Sequence, residues 1–593
     1  MLIVALVSAL MTGTATPAKA FSRYQPDVSI QSVQARLAVT SVKPGRTVVS
    51  VLPRTEVAPF SLVGISWLGT AAESTKFQVQ LRESGKWSHW YTLSHHDDHG
   101  PDAQSSEAAT VRSGTDPLIT SHATGIRARA VTTNGALPQR MTVRLADSNT
   151  TPQDRALLAQ RNSPNATAVA VPAYVVSPQG ALVARPNLIT RAQWGANESW
   201  RNEDPSVGTA IMAGFLHHTA TTNSYSASEA PAQMRSLYAY FTKGLGYKDM
   251  AYNFLVDKYG NVYEGRSGCP RAPAPGASCD GPAVPAVGAH TAGLNTNTFA
   301  ISAIGNYHTN KPTAAQAAKL VSAIAGLMAW KVAPYGVNAQ ANAKLVVGSD
   351  PKGKSRFNEG DLATIPTISG HRDAGKTVCP GKYLYPYLPK IREKVVALMQ
   401  PAVKNAAITP VAIRALDPTN VTITATVPAL ATWSIDVMNP AGTVVSRAEG
   451  VQSESAGDIG FTWNHLDGTG ALLPEGLYKV AINVVVGSTA LPTFNSNVAL
   501  ASLPTPVTSV SRKRVSKTKS QIRWAAVANA SPVSYKYRTK TGGKGKWSKW
   551  KYTTSAATKV TLKKLKRAKT YRMEIVATNA LGQAPATTLK FKQ

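Results

Sequence analysis

Alternating apolar and polar residues mark the first quarter of the chain. TKFQVQLRES (residues 75–84) and QRMTVRLADS (139–148) put side chains of opposite character on opposite faces, as half-buried strands do. They predict an all-β, sandwich-like domain over residues 21–148. From 149 to 186 the composition turns to Thr, Pro, Asn and Ala, which predicts a linker with little core. Over residues 187–402 the period changes. SEAPAQMRSLYAYFTKGL places Met234, Leu237, Tyr238 and Phe241 on one helical face, and PTAAQAAKLVSAIAGLMAW does the same with Leu320, Ile324 and Met328. Strand-like runs alternate with these helices, so this segment is expected to be α/β. Alternation at period two returns over 405–500 and 505–593, predicting two further β domains. A short echo, GKWSHW at 85–90 and GKWSKW at 545–550, predicts paired Trp packed into a sandwich core, or alternatively a sugar-stacking platform.

A chain of 593 residues exceeds what one core supports, so several domains are required. The first 20 residues, an apolar run followed by Ala18-Lys19-Ala20, resemble a signal peptide with Phe21 opening the mature chain, although a basic n-region is missing. That run is too short to span a bilayer. The expectation is a secreted protein with no transmembrane anchor. The formal net charge is +32, and residues 501–593 hold 22 Lys and Arg against one acid, Glu574. Such a patch binds polyanions through counterion release. Export favours anionic cell-wall polymers over nucleic acid as the partner.

Candidate chemistry centres on ISGHRDAGKTVCPG (368–381). Only three cysteines and 11 histidines occur in the chain, yet His371 and Cys379 fall close together here. AGFLHHTA supplies His217 and His218, of which one can face a shared site because strand neighbours point opposite ways. Two imidazoles and a thiolate suit zinc and leave a fourth position open, the mark of a catalytic site. The bland alternative is a core histidine, a loop histidine and a disulfide cysteine. LVVGSDPKGKS satisfies a phosphate-loop pattern, but RFNEGDLATIP follows it where a helix is required, so it is set aside. HHDDHG (95–100) is read as a solvated loop.

LHHTA, YKDMAYNFLVDKYGNVYEGR, VGAHTAG, FAISAIGNY and ISGHRDAGKTVCPG occur in this order. Together they resemble the zinc amidases of the peptidoglycan recognition protein family, the type 2 N-acetylmuramoyl-L-alanine amidases. The resemblance implies a mixed sheet flanked by helices, and a zinc-floored groove for peptidoglycan glycan strands and stem peptides. It implies His217, His371 and Cys379 as zinc ligands, and Tyr252 and Thr377 near the reacting carbonyl. Arg266, His290 and Asn306 fall at groove-lining positions. The bond cut would be the amide joining N-acetylmuramic acid to L-alanine, by a zinc-activated water. An insertion before His290 carries Cys269 and Cys279; with Cys379 given to zinc, an oxidising exterior favours a disulfide between these two. The two C-terminal modules resemble an immunoglobulin-like repeat and a fibronectin type III domain. Two readings of another class stay open: a non-catalytic peptidoglycan receptor, and a wall-anchored adhesin.

Overall fold

The computed structural model describes residues 24–34, 38–41, 47–69, 71–72, 74–95, 99–132, 139–161, 174–271, 281, 283–414, 419–467, 469–554 and 556–593. The expected leader lies outside the described residues. Residues up to 400, apart from the short stretch 179–182, form one unit, and residues 401–593 with that stretch form a second.

At the centre of the first unit is a six-stranded sheet. Its order is Leu188–Ile189, Val262–Glu264, Phe254–Val256, Thr298–Ala303, Ala213–His218 and Ile368–Gly370. Every pairing is parallel except that of Phe254–Val256 with Val262–Glu264, so the sheet is mixed, as the resemblance implied. Ala213–His218 and Thr298–Ala303 are buried at every position, as strands covered on both faces are. Helix Ala314–Val332 begins at a capping box, Thr313 with Gln316, and buries Leu320, Ile324 and Met328 completely. This is also the one helix among the described residues long and apolar enough to cross a membrane, and most of it is buried in the fold.

The N-terminal β strands form a single hydrogen-bonded network rather than two separate sheets. Thr47–Leu68 runs for 22 residues and pairs with both Leu118–Thr132 and Gln139–Ser148. Register shifts interrupt it at several points, and such bulges bend a strand. The bent sheet therefore encloses its own core of Phe60, Trp67, Phe77 and Ile126.

This sheet and the α/β segment also share a second core. Leu62 and Ala146 pack with Trp194, Tyr238 and Tyr240, and the Tyr240 hydroxyl donates to the Thr115 carbonyl at 2.7 Å. Gly64 leaves room for that ring, since a Cβ there would lie 2.4 Å from it. Helix Ala230–Ala239 is consequently buried on all sides, not only on the face its spacing predicts.

The stretch read as a linker contains a helix, Pro152–Arg161, and its Asp154 is fully buried. Asp154 takes both terminal nitrogens of Arg235, at 3.0 and 2.8 Å. Arg235 also donates to Ser148 Oγ, the Trp194 carbonyl and the Asn149 carbonyl. A charge buried this deeply is tolerable only when so fully bonded. A linker reading fails here because the partner lies on a helix 81 residues away.

In the second unit, residues 404–501 form a three-stranded and a six-stranded sheet, and residues 511–592 a three-stranded and a five-stranded one. Both are β domains, as the alternation predicted. The echoed Trp pairs are not buried in a sandwich core. Trp87 and Trp90, like Trp547 and Trp550, stay half-buried with cations over their faces. Arg54 covers Trp87 and Arg129 covers Trp90, while Arg538 sits over both Trp547 and Trp550. Ser88 and Ser548 repeat the same bond, each accepting at Oγ from a strand N–H at 3.1 Å. Each ring thus carries a cation over it at the sheet surface.

Replacing Asp154 by Ala strands the Arg235 charge in the interior and is expected to cost about 3–5 kcal/mol. The Asp154→Leu, Arg235→Met double variant should recover much of that loss. Denaturant unfolding of the three proteins checks both expectations.

Candidate metal centre

The register of the central sheet creates the site. Leu216 lies opposite Gly370 across the parallel pair, so His217 and His371, one residue further along each strand, emerge together. Both stand at carboxyl ends of parallel strands, where open α/β sheets place their ligands. His217 and His371 are completely buried and Cys379 nearly so. The His217 Nδ1 to Cys379 Sγ distance is 3.7 Å, and the two imidazole rings are 4.4 Å apart. His218 points the other way: its Nδ1 accepts from the Tyr307 backbone N–H at 3.0 Å.

Local bonds hold each group in place. The Asp373 carboxylate accepts from the Gly370 N–H at 2.8 Å and from the Tyr385 hydroxyl at 2.6 Å, fixing the turn that carries His371. Gly375 packs on that imidazole so closely that a Cβ would sit 2.9 Å from Nε2. Thr377 Oγ1 accepts from the Cys379 N–H at 3.0 Å. His217 Nε2 lies 3.5 Å from Thr291 Oγ1, and that hydroxyl is 3.0 Å from His290 Nδ1. Asn295 Oδ1 accepts from the backbone N–H of both His290 and Thr291. His290 therefore orients His217 through Thr291 instead of joining the cluster.

A fourth imidazole completes the group. His99 comes from the N-terminal β domain and is buried. Its ring lies 4.7 Å from that of His371 and 5.3 Å from that of His217, and its Nε2 is 3.2 Å from the Tyr252 hydroxyl. The ligating atoms of His99, His217, His371 and Cys379 all fall within 4.8 Å of one another. Residues 95–100 are thus no solvated loop at their ends. His95 bonds the Thr75 carbonyl at 2.7 Å and packs on Trp67 and Phe77, while residues 96–98 lie outside the described residues. Sequence spacing misses His99 because its partners lie more than a hundred residues away; the histidine density of HHDDHG was the available signal.

Burial pushes His217 well below the ordinary imidazole range, with His371 and His99 adding to the effect, and burial does the same to His290. Both are neutral near pH 7, as ligation and orientation by imidazole require. Three imidazoles and one thiol, buried and convergent, fit zinc.

The remaining predicted residues are distributed more widely. Arg266 is buried and donates to both Glu107 carboxylate oxygens, at 2.9 and 2.8 Å. It borders a cavity of about 470 Å³ lined also by Asp102, Glu107, Lys248, Gly288 and Thr296. Asn306 accepts at Oδ1 from the N–H groups of His308 and Thr309, bracing its own turn. Cys269 is disulfide-bonded; its expected partner, Cys279, lies outside the described residues.

Comparison with known proteins adds five observations. A family model described as N-acetylmuramoyl-L-alanine amidase matches residues 208–382, and one described as Rv3811 N-terminal galactose-binding domain-like matches residues 17–156. Peptidoglycan-recognition protein SC2 of Drosophila simulans is 26% identical over 198 residues, 33% of this chain and 82% of that protein. The N-acetylmuramoyl-L-alanine amidase of Homo sapiens is 29% identical over 210 residues, 35% of this chain and 29% of that protein. Among solved structures, wild-type Drosophila PGRP-LB aligns with 20% identity and a TM-score of 0.23, covering 34% of this chain and 92% of that one.

If Thr291 orients His217, the Thr291→Val variant should bind zinc about 10–100-fold more weakly. Competition against a chromophoric chelator measures this directly.

Proposed function

Because its central segment belongs to the type 2 N-acetylmuramoyl-L-alanine amidase and peptidoglycan recognition protein family, we propose that the chain is a zinc-dependent peptidoglycan hydrolase. It cleaves the amide between N-acetylmuramic acid and the L-alanine of the stem peptide. The observation that carries this reading is the convergence of buried His217, His371 and Cys379 beside Tyr252.

His217, His371 and Cys379 would hold the metal. Zinc there would supply an activated water at neutral pH and polarise the amide carbonyl. The protein's own groups do the rest. Thr291 and His290 keep His217 in one orientation. Thr377 steadies the Cys379 loop through its hydroxyl, a positioning role. The Tyr252 hydroxyl reaches the edge of the cluster, where its O–H can donate to the oxyanion that develops on the scissile carbonyl. We further propose that the mature protein is secreted and that the basic domain at 505–593 holds it on anionic wall polymers.

Cys379→Ser exchanges a thiolate for a hydroxyl that stays protonated at neutral pH, so bound zinc and amide hydrolysis should be lost together while the domain remains folded. Assay of newly freed alanine amino groups on purified peptidoglycan, beside zinc analysis, tests this; wild-type turnover in the variant would overturn the assignment. Deleting residues 501–593 should weaken binding to whole walls and flatten its salt dependence, while hydrolysis of small soluble muropeptides survives. Sedimentation with walls across a salt series reads the outcome.

A further inference from the structure

The hydrolase reading gives work to three of the four clustered donors and none to His99. A catalytic zinc keeps three protein ligands and an open position, whereas four protein ligands close the site. His99 stands where it would be the fourth.

It does not stand alone. Three groups of contacts run from residues 99–107 of the N-terminal β domain into the same region. His99 joins the cluster and meets Tyr252. Asp102 accepts from Asn295 Nδ2 at 2.8 Å and Thr296 Oγ1 at 3.0 Å, and the Gly100 carbonyl accepts from Asn295 Nδ2 at 2.9 Å; Asn295 is the residue that fixes His290 and Thr291. Glu107 takes both arms of Arg266 and the Lys248 backbone N–H at 2.9 Å. One segment therefore engages the metal cluster, the turn behind it and the groove arginine.

We infer, on the hydrolase reading, that residues 99–107 are a built-in latch. His99 is a fourth protein ligand that closes the metal to water and substrate, and Glu107 ties up Arg266. What distinguishes the dock is its apolar core. The domain is docked through an apolar core of Leu62, Ala146, Tyr238 and Tyr240 and through the Arg235–Asp154 pair. The latch contacts are an imidazole in the donor cluster, hydrogen bonds to Asn295 and Thr296, and the buried Glu107–Arg266 pair, which holds the segment shut until both its charges are resolvated. The segment can then withdraw locally while the domain stays in place.

Cobalt(II) in place of zinc gives a visible spectrum that reports its ligands, and acetohydroxamate is a small chelating probe for an open position. In the full-length protein the spectrum should respond to acetohydroxamate only at high concentration. His99→Ala should respond at a concentration at least tenfold lower, with Glu107→Gln falling between. Should His99→Ala fail to melt cooperatively, His99→Gln takes its place. Equal half-saturating concentrations in wild type and the His99 variant would overturn the latch, as would a variant whose metal stays closed. Hydrolysis of muropeptides by the same proteins separates the two readings. A rise of tenfold or more in the His99 variant supports both. An opened metal with no hydrolysis in either protein keeps the latch and removes the hydrolase assignment. Hydrolysis lost in a metal-replete His99 variant overturns the latch.

Discussion

The parallel pairing of Ala213–His218 with Ile368–Gly370 is the constraint on which the site depends. A one-residue slip in that register would turn His217 away and bring His218 toward His371, because side chains alternate across a strand. Burial on both faces makes such a slip costly, so the fold holds the register firmly. The flanking bonds from Asp373, Thr377 and Thr291 refine positions that the sheet has already brought within reach. Precision at the donor cluster is therefore a property of the core.

The same logic explains why an N-terminal β domain can supply a donor to a site it does not contain. Its sheet is pressed against helix Ala230–Ala239 by a shared apolar core, and Arg235 is bonded to Ser148, Asn149 and Asp154 on the far side of that contact. An interface that buries an arginine with every arm satisfied has one geometry. In that docked geometry the segment 99–107 lies along the donor cluster and Arg266.

Charge is organised separately from the site. Around the cluster the carboxylates are paired: Glu107 with Arg266, Asp102 with Asn295 and Thr296, Asp373 with a tyrosine and a backbone N–H. The positive excess lies at the other end of the sequence, in a β domain whose core uses Trp524, Tyr535 and Ile575 and leaves its many lysines outward. Arg538, Lys536 and Lys540 lie over Trp547 and Trp550 there. Some of the excess charge thus packs against aromatic faces while its ends stay near water.

Much of this protein was legible without coordinates. Period-two and helical patterns depend on neighbours in the chain, so the β, α/β and β segments could be read directly. The spacing of His371 and Cys379 marked a candidate metal site in a chain with three cysteines, and the ordered motifs around it carried the family. What sequence could not supply were contacts whose two halves lie far apart in the chain. Asp154 looked like part of a linker until Arg235 met it, and a helix with one apolar face turned out to be buried on both. Arg266 read as a groove residue, and tertiary structure gave it Glu107 as a partner 159 residues earlier. His99 had no local pattern to separate it from a hydrated loop. Periodicity reports the face a residue presents; only the packing of one domain on another decides what that face meets.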